Sequence, residues 1–148
     1  MTGLALRGFA TINFWADDVA TARDWYADFL GIPAYFERSD ADGRLVYAEF
    51  RLGDYQAELG IVDQRFAPPT ATGGPGGAVM HWHVDDLPAT VERLLSLGAT
   101  EYQPITKRGE GFVTASVVDP FGNLLGVMYN QHYLDVLATR AVAAPVVE

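Results

Sequence analysis

One stretch of this chain occurs twice. Ala10-Thr11-Ile12-Asn13-Phe14-Trp15-Ala16-Asp17-Asp18-Val19 is echoed by Ala78-Val79-Met80-His81-Trp82-His83-Val84-Asp85-Asp86-Leu87, each residue 68 positions further on. Both copies alternate like a strand, reach an Asp-Asp pair and then change to helical spacing. In the first, Val19, Ala22, Tyr26, Phe29 and Leu30 recur along one stripe until Gly31-Ile32-Pro33 stops the helix. In the second, Leu87, Val91, Leu94 and Leu95 form the stripe and Gly98 ends it. A duplicated strand-helix unit needs further strands to bury its apolar faces, and each half supplies three. These are Ala34 to Arg38, Leu45 to Leu52 and Tyr55 to Val62, then Glu101 to Thr106, Phe112 to Val118 and Leu124 to Asn130. Internal duplication of a β-α-β-β-β module is the strongest architectural expectation for the chain.

The last two strands flank Asp119-Pro120-Phe121-Gly122-Asn123. Pro120 presets its φ and the Gly122-Asn123 pair takes positive φ cheaply, so a tight hairpin is expected. Tyr133, Val136 and Leu137 give Asn130 to Arg140 the stripe of a short helix, and Ala141 to Glu148 reads as a loose tail. Pro68-Pro69 and Gly73-Gly74-Pro75-Gly76-Gly77 mark a linker, or a mobile loop over a site. The expected organisation is therefore a first module over residues 1–66 and a linker or lid over 67–77. A second module follows over 78–130, then a C-terminal helix and tail over 131–148. The expected class is α+β, an eight-stranded, barrel-like mixed sheet around a cavity with a C-terminal helix added.

Composition narrows the chemistry. The 148 residues hold no cysteine, so disulfides, thiolate metal sites and cysteine nucleophiles are excluded. The net charge of −9 opposes nucleic-acid binding, which needs a basic field. No apolar run is long enough to span a membrane and no secretory leader is expected, so the expected location is the cytoplasm.

Each module has one cleanly apolar strand face, carrying Ile12 and Phe14, Leu59 and Ile61, Trp82 and Val84, Leu125 and Val127. These faces are expected under the helices. The opposite faces mix Thr11, Asn13, Trp15, Glu49, Arg51, Gln56, Glu58, His81, His83, Thr114, Ser116, Gly126 and Met128. A face open to water carries simpler polar residues, whereas such a mixture suits a ligand pocket. Asn13, Trp15, Arg51, Glu58, His81, His83, Ser116 and Met128 are the candidate ligand-binding residues. Trp15 would stack on a planar or cationic group there, or else serve packing. The two Asp-Asp pairs stand where helix N-caps belong, and His132 lies beyond the last strand as a surface residue.

The duplicated β-α-β-β-β module, the Asp-Asp-hydrophobic sequence after the first strand and Asp-Pro-Phe-Gly-Asn before the last resemble the vicinal oxygen chelate superfamily. That group includes glyoxalase I, bleomycin-resistance proteins, fosfomycin-resistance enzymes and extradiol dioxygenases. The resemblance spans Arg7 to Tyr129 and is specific for the fold, not for a reaction. It implies a small-molecule ligand, and a homodimer, because short members commonly dimerise. Its metal-ligand positions fall on Thr11, Glu58, Val79 and Gly126, of which Glu58 alone could bind a metal. A catalytic divalent ion takes three or more protein ligands, so the usual centre is expected to be missing.

His81 and His83 project from the same strand face and could instead hold a relocated metal with Glu58 or Glu49. They could equally be neutral pocket imidazoles, bonded to Asn13 or Ser116, or purely structural. Three functions stay open. The first is a binding protein without a metal. The second is a lyase, isomerase or dioxygenase with a relocated metal. The third is a metal-free enzyme with His81 or His83 as general base beside Glu58.

Overall fold

The computed structural model describes residues 6–69 and 74–143, the last three as backbone only. The chain divides into two compact units, the first ending at Gly74 and the second beginning at Pro75. The central residues of the expected linker and the end of the expected tail lie outside the described residues.

In the first unit, β1 (Thr11–Ala16) is followed by α1 (Val19–Leu30), then β2 (Phe36–Ser39), β3 (Leu45–Leu52), β4 (Ala57–Asp63) and a short 3-10 turn (Gln64–Phe66). The second unit contains β5 (His81–His83), α2 (Leu87–Ser96), β6 (Thr100–Gly109), β7 (Phe112–Val118), β8 (Leu124–Asn130) and α3 (Gln131–Ala143). Each unit holds one four-stranded mixed sheet, in the orders β1-β4-β3-β2 and β5-β8-β7-β6. The first strand of each runs parallel to the last, and the other neighbours are antiparallel. The duplication read from the sequence is thus a duplication of topology, in an α+β fold.

The helices begin where the paired aspartates predict, and only the second of each pair does the capping. Asp18 accepts from the Thr21 amide at 3.1 Å and Asp86 from the Ala89 amide at 3.0 Å. The bond to Thr21 holds the Asp18 carboxyl below its ordinary range. Under α1 the apolar strand face buries Phe14, Ala48, Phe50, Leu59 and Ile61. Tyr26 of α1 is buried against Phe14, with ring centroids 5.9 Å apart. In the second unit Leu87 and Leu94 of α2 are buried, as are Ala115, Val117, Leu125 and Val127. Burying side chains of this size contributes about 1.5–3 kcal/mol each.

Some boundaries differ from expectation. β5 is three residues long, because its pairing with β8 covers only His81↔Gly126 to His83↔Met128. β6 runs on to Gly109, following β7 through three register shifts. α3 continues past Arg140 to Ala143, into the stretch expected as tail. The hairpin turns differ too. Gly122 takes φ 94° and Asn123 stays at negative φ, while Asp119 accepts from the Phe121 and Asn123 amides at 2.9 and 2.8 Å. In the first unit the equivalent turn before β4 has no glycine at that point, and Gln56 itself takes φ 54°.

Candidate functional site

The mixed faces can be read row by row from the strand register. In the first unit Thr11, Glu58 and Arg51 form one row, Asn13, Gly60, Glu49 and Phe36 the next, and Trp15, Val62, Tyr47 and Arg38 the third. This is the face away from Phe14 and Ile61, so Asn13, Trp15, Glu58 and Arg51 share it as expected from alternation.

Its centre is a polar chain. The Tyr47 hydroxyl donates to Glu49 Oε1 at 2.9 Å, and Arg51 Nε lies 3.4 Å from Glu49 Oε2. Arg51 also reaches Glu58 at 3.7 Å and lies 3.8 Å over the centroid of the Tyr35 ring. The Glu49 side chain keeps 13 % of its exposure, so its charge is partly withdrawn from water and balanced by these two donors. Burial and the neighbouring Glu49 carboxylate push the Tyr47 phenol up to about 12. Asn13 lies flat over Gly60, where a Cβ would stand 2.5 Å from its Oδ1.

Beside this chain, on the first unit alone, is a cavity of about 400 Å³ lined by Phe36, Arg38, Val46, Tyr47, Val62 and Phe66. Sequence reasoning placed none of these in the site. Phe36 lies on β2, which is exposed along its whole length and so shows no alternation, and Phe66 sits at the edge of the proline-rich stretch. Arg65, over the Phe66 ring at 5.6 Å, is held by the fully buried Asp63 at 3.1 Å and by Asp40 at 3.5 Å.

The second unit repeats the rows with other residues. His81, Gly126, Ser116 and Gln103 form one, and His83, Met128, Thr114 and Thr106 the next. His81 lies over Gly126 as Asn13 lies over Gly60: a Cβ there would meet His81 Cδ2 at 2.8 Å and the Met80 carbonyl at 2.5 Å. Ser116 is fully buried, and its hydroxyl is 3.5 Å from Gln103 Oε1. Met128 Sδ accepts from Asn130 Nδ2 at 3.6 Å.

His83 is engaged at both nitrogens. Nδ1 accepts from the Asn130 amide at 3.1 Å, which puts the ring proton on Nε2, 3.1 Å from Asp85 Oδ1. The ring stacks on Tyr133 of α3 at 5.0 Å and contacts Tyr129 at 5.4 Å, and its side chain is 8 % exposed. His132 lies exposed on α3.

The register also sorts the positions that the resemblance assigns to metal ligands. Thr11 is beside Glu58, but Gly126 is beside His81, not Val79. Gly126 is therefore the counterpart of Gly60, and Leu124 that of Glu58. One row supplies Thr11, Glu58, Val79 and Leu124, and the other Asn13, Gly60, His81 and Gly126. Within neither unit do the described residues bring together three His, Asp or Glu side chains able to hold a metal ion.

The profile of the Glyoxalase/Bleomycin resistance protein/Dioxygenase superfamily matches residues 8–127. No curated protein sequence matches the chain. Among solved structures, a glyoxalase-related enzyme from Fulvimarina pelagi is similar, with a TM-score of 0.66 and 19 % identity over 85 % of this chain and 90 % of that one. TioX from Micromonospora sp. ML1 has a TM-score of 0.61 and 19 % identity, covering 83 % and 98 %. A bleomycin resistance determinant encoded on the transposon Tn5 has a TM-score of 0.57 and 24 % identity, covering 84 % and 98 %. At these identities the likeness is one of fold.

Proposed function

The chain belongs to the glyoxalase/bleomycin resistance/dioxygenase superfamily, and from that premise we propose that it is a small-molecule-binding protein without that superfamily's usual metal centre. The observation that carries this reading is the cavity of about 400 Å³ on the mixed face of the first unit. Small-molecule sites are concave, mostly apolar or aromatic, and carry a few placed polar groups. Here Phe36, Val62 and Phe66 supply the apolar wall, and the Tyr47-Glu49-Arg51-Glu58 chain supplies directed bonds beside it. A chain of net charge −9 suits such a ligand better than nucleic acid.

The metal part of the proposal rests on donor chemistry. Neither row of ligand positions offers more than one strong metal donor, Glu58 in the first and His81 in the second, where a catalytic ion needs three. His83 is withdrawn from the candidate set because both its nitrogens serve the fold. A homodimer and a cytoplasmic location, as the resemblance implies, belong to the same reading.

The test is a thermal-shift ligand screen followed by titration of Phe66→Ala, Trp15→Ala and His81→Ala. Each variant should fold and bind about ten- to a hundredfold more weakly, the loss expected when a ligand contact or a hydrogen-bond partner is removed. Wild-type affinity in all three would make these faces scaffold. One equivalent of metal per chain in the purified protein, lost in Glu58→Gln, would overturn the metal-free reading.

A further inference from the structure

Resting on the reading above, we infer that the cavity of the first unit takes a small aromatic anion, an aryl carboxylate, with Arg38 as its counter-charge. The arginines around the cavity divide cleanly. Arg44 is paired with Asp63 at 3.3 Å, Arg51 with Glu49 at 3.4 Å, and Arg65 with Asp63 at 3.1 Å. Arg38 lines the cavity, 5.9 Å from the Phe36 ring centroid, and has no carboxylate within ion-pairing distance among the described residues.

In a chain with 19 acidic and 10 basic side chains, an unpaired guanidinium on an aromatic wall is unusual. Carboxylates outnumber cations, so an ion pair would be easy to arrange. The nearest acidic side chains on these strands are already engaged. Glu37 accepts from Arg23 at 2.7 Å, and Glu49 is held by Tyr47 and Arg51. A guanidinium presents a planar fork of donors that matches a carboxylate. Phe36, Tyr47 and Phe66 offer ring faces and edges for an aromatic body, and Val46 and Val62 an apolar floor. At about 400 Å³ the cavity lies near the small end of ligand pockets, which fits one or two fused rings. Its apolar lining lowers the local dielectric and strengthens the pair.

Three matched probes separate the possibilities by calorimetric titration at low ionic strength: 2-naphthoate, neutral 2-naphthamide and cationic 2-naphthylmethylamine. The acid should bind about tenfold more tightly than the amide, the lower end for a charged hydrogen bond because Arg38 is exposed. Arg38→Gln should remove that difference and leave amide affinity within about twofold, while Arg38→Lys restores part of it. The exposed position of Arg38 means both variants should melt as wild type does.

Equal binding of acid and amide, with both weakened in Phe66→Ala, would overturn the anion assignment and leave the cavity as a ligand site. Preference for the amine would overturn it in favour of Glu49 and Glu58 as counter-charges. If none of the probes binds, the assignment falls. If the thermal-shift screen also yields no ligand sensitive to Phe66→Ala, the underlying reading falls with it.

Discussion

Replacing His83 with alanine should cost stability, not metal affinity. The substitution removes the acceptor of the Asn130 amide, and that amide sits at the junction where β8 ends and α3 begins. A half-buried N–H left without a partner costs about 1–3 kcal/mol. The stacked contact with Tyr133 and the tilted one with Tyr129 are lost as well, and an aromatic pair is worth about 0.5–1.5 kcal/mol beyond its area. The bond to Asp85 adds little, because that carboxylate is almost fully exposed and solvent screens it. The expected sum is about 2–4 kcal/mol. Urea denaturation gives the magnitude, and amide exchange at Asn130 and along α3 gives the place. His83→Gln, whose side-chain oxygen can still accept from Asn130, should recover part of the loss. If His83→Ala unfolds within about 0.5 kcal/mol of wild type with Asn130 protection unchanged, the tether is not holding α3 and the histidine is again a candidate for the site.

Gly126→Ala should destabilise by about 1–3 kcal/mol, as overpacking does, because the new Cβ meets backbone at the Met80 carbonyl. Gly60→Ala should cost less, since its closest clash is with the end of the Asn13 side chain; equal melting points for the two would refute the contrast. Gln56→Gly should stabilise by up to about 1 kcal/mol by relieving a left-handed residue, partly offset by the entropy of the added glycine, and thermal melting reads it directly. Burial raises the Asp63 carboxyl, but the Arg65 amide and guanidinium and the Arg44 charge outweigh this and hold it below its ordinary range. Its folded pKa is depressed, so its stabilisation is fully present above the ordinary carboxylate range and lost as pH falls through the folded value. Asp63→Asn should flatten that acid limb in a pH series of urea midpoints, and an unchanged limb would assign it to other carboxylates.

The fold was legible because alternation and helical spacing recur at a constant offset. Phe112–Val118 and Leu124–Asn130 stand where expected, since each pairs along its full length. Boundaries slipped where a strand's length is decided by its neighbour. β1 begins at Thr11 rather than Gly8, where its register with Glu58 begins, and β4 begins after Gln56 because that residue turns the chain. The site was less legible. Asn13, Trp15, Arg51 and Glu58 could be assigned to one face by parity alone, but the aromatic wall could not. Phe36 and Phe66 lie thirty positions apart, one on an edge strand without alternation and one in a 3-10 turn. The role of His83 depends on Asn130 and Tyr133, which no local pattern connects to it.

The irregular β6 strand has a consequence for assembly. Ten residues along the free edge of a sheet would ordinarily template a further strand. Here Pro104 offers no amide, Lys107 and Arg108 place charge along the edge, and three bulges break its repeat. A neighbouring chain trying to extend this sheet meets a ladder with missing rungs. Self-association through the second unit is therefore steered away from strand addition and toward side-chain contact between faces, which limits it to closed, countable complexes instead of growing fibrils.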